Sequence, residues 1–235
     1  MRVAVVTGAS RGLGKHIAIR LGKAGYHVAV NYCHSQRDAD EVLLAMGPQS
    51  MGLRADVGMF REVEGMARRV MEEWGRVDVL VNNAGIVRDG LLIKYKEQDW
   101  DEVLRVNVRG CFNTVKCLAP LMIQSGGGHI VNISSRSGLR GRAGQPAYSA
   151  SKASVIGLTR SLAGELAGSN IKVNCILPGY MATETGVRAK EALRVARRQS
   201  VLGSLSDPEE VAGFIACLVT TGGVTGQVFC LDSRI

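Results

Sequence analysis

Apolar residues fall into two alternating textures along this chain. Short β-branched runs suit strands buried on both faces: Arg2–Thr7, His27–Tyr32, Met51–Ala55, Val77–Val81, the segment with Ile130, Val131 and Ile133, Ile171–Leu177, and Gln227–Leu231. Between them, apolar positions recur at helical spacing. Ile17, Leu21 and Ala24 form one stripe, and Phe60, Val63, Met66, Ala67, Val70 and Trp74 form another. Further helices are predicted over about Arg37–Met46, from Asp99 to about Ile123, through Tyr148 to Ala167, and after Ser206. There Asp207 or Ser206 can cap, and Pro208 suits the first turn. Seven strands alternating with helices predict an α/β fold, a doubly wound parallel sheet with helices on both faces. No Pro-, Gly- or Ser-rich linker divides the 235 residues, so one domain over 1–235 is expected.

Composition narrows the class. Hydrophobic residues make up 46% and charged residues 21%, ordinary for a globular protein. No apolar run is long enough for a membrane span, and Met1 leads through Arg2 into a strand without a signal-peptide pattern. A cytoplasmic protein with no membrane partner is expected. The six cysteines show no CxxC spacing and the four histidines form no cluster, so reduced buried thiols and no metal site follow. A net charge of +8 calls for an anionic partner. The basic residues are spread out and no nucleic-acid motif accompanies them, so phosphorylated small molecules fit better than DNA or RNA.

The first strand runs into TGASRGLG, residues 7–14. Gly8, Gly12 and Gly14 permit a tight turn, and a helix opening near Leu13 offers unpaired N–H groups to a phosphate. Following a strand and preceding an amphipathic helix, this turn has the context of a dinucleotide site, which includes Ser10 and Arg11. The second strand ends in Asn31, Tyr32, Cys33, His34 and Ser35, with no carboxylate for a ribose 2′-hydroxyl. Arg11 can face a 2′-phosphate instead, so NADP(H) is expected over NAD(H), the latter remaining possible. Asn31 joins the expected cofactor set. The NNAG segment, Asn82–Gly85, puts small residues at a strand's carboxyl end, where ligands approach α/β sheets.

Proton chemistry is suggested by Ile130–Lys152, which opens as a strand and closes as a helix. Tyr148 and Lys152 are four residues apart, on one helix face, and Ser135 stands where the strand ends. A fixed ammonium favours the phenolate and so lowers the pKa of a nearby tyrosine, which suits proton transfer to a carbonyl oxygen. The same spacing also arises from a packed ring beside a solvated amine. Asn107 interrupts an apolar helical pattern, as a satisfied polar residue or a local bend.

These motifs, in this order, resemble the short-chain dehydrogenases/reductases across essentially the whole chain: TGASRGLG, Asp56-Val57, NNAG, Asn107, Ser135, YSASK at 148–152, and Pro178-Gly179. The resemblance implies a single-domain Rossmann-like fold and an NAD(P)-dependent oxidoreductase acting on a CH–OH group. Arg88-Asp89-Gly90, GQPAYSASK from Gly144 and DPEEVA from Asp207 are most similar to its 3-oxoacyl thioester reductases. By that resemblance, Tyr148 is the general acid, Lys152 supports it and holds the nicotinamide ribose, Ser135 orients the carbonyl, and Asn107 holds a relay water. Asp56 and Val57 hold the adenine, while Asn83, Ala84 and Gly85 line the adenosine-ribose side. Met181 and Thr183, after Pro178 and Gly179, meet the nicotinamide carboxamide. A homotetramer is implied, with a thioester of CoA or acyl carrier protein as substrate and a lid over about 183–205.

Gly126 and Ser169 stand where carrier-protein reductases often carry a basic residue. Arg136, Arg140 and Arg142 crowd the loop beside Ser135, and Arg188, Lys190, Arg194, Arg197 and Arg198 fall on the expected lid. The lid residues fit either a solvated surface or recognition of an anionic handle. A dehydrogenase acting on a non-thioester alcohol or ketone, or a nucleotide-sensing binding protein, are the rival functions.

Overall fold

The computed structural model describes residues 1–181 and 190–234. Its strands are β1 (Arg2–Val6), β2 (Tyr26–Tyr32), β3 (Ser50–Arg54), β4 (Val79–Asn82), β5 (Gly128–Ile133), β6 (Ile171–Pro178) and β7 (Val228–Leu231). They form one parallel sheet in the order β3-β2-β1-β4-β5-β6-β7, so the expected Rossmann-like α/β fold is present. Strand order reverses between β1 and β4. There Val6 is opposite Val81, so the turns after these two strands leave the sheet at one level and flank a common crevice.

The helices are α1 (Gly12–Lys23), α2 (Gln36–Met46), α3 (Phe60–Trp74), α4 (Glu97–Leu104), α5 (Gly110–Gln124), α6 (Arg136–Arg140), α7 (Pro146–Leu166), α8 (Lys190–Gln199) and α9 (Pro208–Leu218). Ile17 and Leu21 of α1, Val42 of α2 and Ile215 of α9 cover one face of the sheet, against Val6, Val28 and Val81. Val63, Met66 and Val70 of α3 and Leu118 and Met122 of α5 cover the other, against Val3, Val5, Leu80 and Ile130. Apolar layers on both sides account for the unbroken β-branched runs. Each such side chain contributes roughly 1.5–3 kcal/mol when fully buried.

Three departures from the pattern have physical causes. The helix expected from Asp99 to Ile123 is α4, a π-helical turn over Arg105–Arg109, and α5. The turn coincides with Asn107, whose side chain is drawn to the strand-end loop, so the predicted bend is a widened turn. In the α3 stripe, Phe60 occupies the first helical position and is exposed, whereas Trp74 packs edge-on against His27 at 5.7 Å. Finally, the basic segment expected to be mobile carries α8 over Lys190–Gln199, with Ala196 buried and Ser200 bridged antiparallel to Arg234. The rest of that segment, 185–189, lies outside the described residues.

Candidate active site

Two asparagines hold the turn after β1. Thr7, fully buried, accepts from the N–H groups of Asn83 and Ala84 at 3.0 Å each, and the Asn83 amide donates to the carbonyls of Thr7 and Gly8. From the other side Asn31 accepts from Gly8 N at 3.3 Å and donates to the Leu53 and Ala55 carbonyls. Asn31 is therefore committed to backbone and acts on the glycine turn from behind. Gly8 has φ +60°, and a Cβ on Gly14 would stand 2.3 Å from the Gly8 carbonyl oxygen. The turn thus requires glycine at these positions for conformation and for contact. Arg11, extended at φ −154°, precedes α1 without a side-chain cap, so first-turn N–H groups of α1 face outward from a cradle suited to a diphosphate. This structure fits the nicotinamide dinucleotide inferred from the sequence.

Around the cradle, Asp56 is bound by Arg105 at 2.8 Å and accepts from Gly58 N, while the Val57 carbonyl takes the Asn113 amide. Asp56 and Val57 lie at the end of β3, beside the end of β2. Sequence reading missed Arg54 there: its Nε donates to the Cys33 carbonyl at 3.2 Å, which holds a guanidinium over the carboxyl end of β2. Its signal in the sequence was a cation ending a strand beside one that lacks a terminal carboxylate.

The proton-handling residues converge between β5, α7 and the π turn. Lys152 is only 5% exposed, and its Nζ donates to the Ile133 carbonyl at 2.8 Å while lying 5.7 Å from the centre of the Tyr148 ring. Ser135 caps α6, its Oγ accepting from Ser137 N, and Gly138 lets α6 close on α7, since a Cβ there would lie 2.7 Å from the Lys152 carbonyl carbon. Asn107 accepts from Ile86 N at 2.8 Å and donates to Ile86 O and Ser151 Oγ at 3.0 Å. A Cβ on Gly85 would reach both Asn107 Oδ1, at 3.2 Å, and Lys152 Nζ, at 3.5 Å. Beside them a cavity of about 10 Å³, lined by Asn82, Asn107 and Lys152 among others, approaches the space one water needs.

Ser135 and Tyr148 face a larger cleft of about 640 Å³, bounded also by Pro178, Gly179 and Met181. Gly179 is fixed by a bond to Leu231 O and by Ser206, whose Oγ sits where a Cβ would go. Thr183 lies outside the described residues. The lid arginines Arg194 and Arg198 pair with Glu191 on an exposed face of α8, and Val195, Ala196 and Gln199 line the cleft instead. Of the two readings of the lid, the solvated surface is the one this geometry favours.

A charged cluster at the cleft escaped sequence reading. Asp232 accepts two bonds from Arg234 Nε and one from Nη2, at 2.6–2.9 Å, and lies 3.9 Å from Arg136. Burial pushes the Asp232 carboxyl up, but the bonds from Arg234 and the charge of Arg136 outweigh it and hold the group below its ordinary value. Nearly a hundred residues separate Arg136 from Asp232, and only the order β5-β6-β7 brings them together. Among the described residues no cluster of metal-ligating groups exists, and no helix is long and apolar enough to cross a membrane.

A parallel sheet with a glycine-lined cradle at its switch point and a Ser, Tyr, Lys group beside it defines a nucleotide-dependent oxidoreductase. The short chain dehydrogenase family model matches residues 2–194, and the chain belongs to that family, whose members use NAD(P). It is 41% identical to the 3-oxoacyl-acyl-carrier-protein reductase of Synechocystis sp., over 98% of this chain and 95% of the relative. It is also 41% identical to the FabG reductase of that name from Staphylococcus aureus (95% and 94% covered), and 40% to that of Staphylococcus epidermidis (95% and 94%).

Proposed function

We propose that the protein reduces a 3-oxoacyl thioester to the 3-hydroxyacyl thioester with NADPH. The observation that carries this is the arrangement at the cleft, where Ser135 and Tyr148 face one space and the Lys152 ammonium stands behind the Tyr148 ring. Similarity to 3-oxoacyl-acyl-carrier-protein reductases over nearly the full length supports the substrate class. The cofactor would be held by the Gly8–Gly14 turn, the Asn83–Gly85 segment, Asp56 and Val57, with Lys152 at the nicotinamide ribose. When bound, the reduced nicotinamide supplies the hydride that the carbonyl carbon takes. The Ser135 hydroxyl donates a hydrogen bond to the carbonyl oxygen, stabilising the negative charge that develops there. Tyr148 transfers its phenolic proton to the same oxygen. Lys152 stabilises the phenolate left behind by its charge. Asn107, with the small cavity beside it, positions a water through which Lys152 and Tyr148 regain the proton.

Preference for NADPH is supported by Arg11 and Arg54 and by the uncharged end of β2. The handle of the thioester, CoA or acyl carrier protein, is left open by this reading. A cytoplasmic homotetramer is part of the proposal; exposed Phe112 and Ile123 on α5 offer apolar surface for association. Light scattering tests the assembly.

The decisive experiment follows NADPH consumption with acetoacetyl-CoA, beside NADH and beside Tyr148→Phe. Turnover that collapses in the variant supports acid, cofactor and substrate class together. NADPH binding without reduction of any thioester refutes the substrate assignment and favours a dehydrogenase of another alcohol or ketone.

A further inference from the structure

The cleft that holds Ser135 and Tyr148 is lined unevenly. Four guanidinium groups border it, from Arg136, Arg140, Arg142 and Arg234. Only two carboxylates answer them: Asp232, behind Arg136 and Arg234, and Asp89, which accepts from the Gln145 amide at 3.0 Å. Arg140 and Arg142 are exposed at the C-terminal end of α6 and beyond it, and form no ion pair among the described residues. Arg234 is 15% exposed in its side chain and cannot swing freely, because Asp232, 3% exposed, grips it from two oxygens.

A solvated arginine needs no partner. A guanidinium fixed at a cleft wall has given up part of its hydration and its rotamer freedom before any ligand arrives, so it binds an anion at less cost than a mobile one. The antiparallel bridge between Ser200 and Arg234, with the 2.7 Å contact of Ser200 and Ser233 hydroxyls, anchors this segment to the end of α8. The uncharged side that α8 gives the cleft confines the cations to α6, the loop after it and the C-terminal segment.

We propose that this wall is a subsite for an anionic group carried by the substrate, a phosphate or a carboxylate, with Arg140, Arg142 and Arg234 as the specificity-determining residues. The inference rests on the thioester-reductase reading and deepens it. It places recognition on the α6 side rather than on the lid arginines, and it disfavours a plain long alkyl chain along that wall.

Three substrates separate the sources of the anion. Acetoacetyl-N-acetylcysteamine is neutral, acetoacetyl-CoA carries phosphates in its handle, and the N-acetylcysteamine thioester of 3-oxoadipic acid carries a carboxylate on the acyl part. Wild-type kcat/KM with NADPH is expected to be at least about tenfold higher for one charged substrate than for the neutral one. Arg140→Gln/Arg142→Gln should erase most of that preference through KM, leaving the neutral substrate within about twofold, and Arg234→Gln should do the same if it folds. Arg194→Gln/Arg198→Gln should leave the preference intact. Preference for CoA identifies the handle phosphates, and preference for 3-oxoadipyl identifies an acyl carboxylate. Equal rates on all three, or a preference that survives the α6 variant or falls in the α8 variant, overturn the proposal. Should no thioester be reduced, the reductase reading fails, and the subsite is then decided by calorimetry of CoA and of adipate on the NADPH complex. Binding of either that the Arg140/Arg142 variant abolishes sustains the subsite, and absence of binding overturns it.

Discussion

Asn107→Ala is expected to separate two roles that meet in one side chain. The amide is 3% exposed and makes three hydrogen bonds, two to the backbone of Ile86 and one to Ser151. Each such bond contributes about 1 kcal/mol net, and a donor or acceptor left unpaired away from water costs ~1–3 kcal/mol. Water entering the enlarged cavity can satisfy part of what Ile86 loses. The expected loss is therefore roughly 2–3 kcal/mol, which for a chain of this size lowers Tm by about 4–12 °C. Urea unfolding should show a lower midpoint at unchanged m. Asn107→Asp keeps the acceptor toward Ile86 N but loses both donations, and should fall at least as far because a buried carboxylate is added. Under the relay proposal kcat in Asn107→Ala also drops, on the order of a hundredfold at temperatures where the variant is folded, with KM little changed. An alanine variant within 0.5 kcal/mol of wild type, flagged here as about the limit of additivity errors, would refute the bracing argument. Full kcat would refute the relay.

Other substitutions test neighbouring parts. Gly14→Ala forces a Cβ against the Gly8 carbonyl at 2.3 Å, so binding of NADPH, read by fluorescence, should be lost while far-UV circular dichroism is retained. Asn132→Ala removes a wholly buried amide that accepts from Asn82 and donates to Thr159; a loss of ~2–4 kcal/mol is expected in urea unfolding. Burial, with the nearby charge of Lys172, pushes the His129 imidazole down to about 4 from 6.5, so the unfolded chain binds its proton first. Wild type should therefore lose stability relative to His129→Gln as pH falls from 6.5 towards 4, by roughly 1–2 kcal/mol given the ring's partial exposure, and the difference should level off below pH 4. A difference independent of pH across that window would contradict the burial argument.

The sheet and its order of helices were legible because both faces of β1, β2, β4 and β5 are covered, which writes burial into the sequence as unbroken β-branched runs. Tyr148, Lys152 and Ser135 were legible because local spacing places them near one strand end. What stayed hidden depends on contacts between distant segments. Asn31 has the sequence position of a cofactor contact, yet its amide is consumed by Gly8, Leu53 and Ala55, a choice that only β2–β3 pairing and the returning turn can make. Arg234 gives no local sign of its place beside Ser135. Likewise the lid arginines share a helix face, but nothing in their spacing says which way that face turns.

The π turn at Arg105–Arg109 has a consequence for how the helix pair can change. One additional residue in that turn advances the chain by about 100° more than an α-helix of equal length would. The apolar stripe of α4, with Val103, is thus out of phase with that of α5, with Leu118 and Met122, and a single helical wheel cannot hold both. A one-residue deletion between Leu104 and Gly110 would restore a uniform winding and swing Asn107 off Ile86, or rotate α4 away from the core. Substitutions are absorbed locally in this segment, whereas its length is coupled to the whole of the helix that follows.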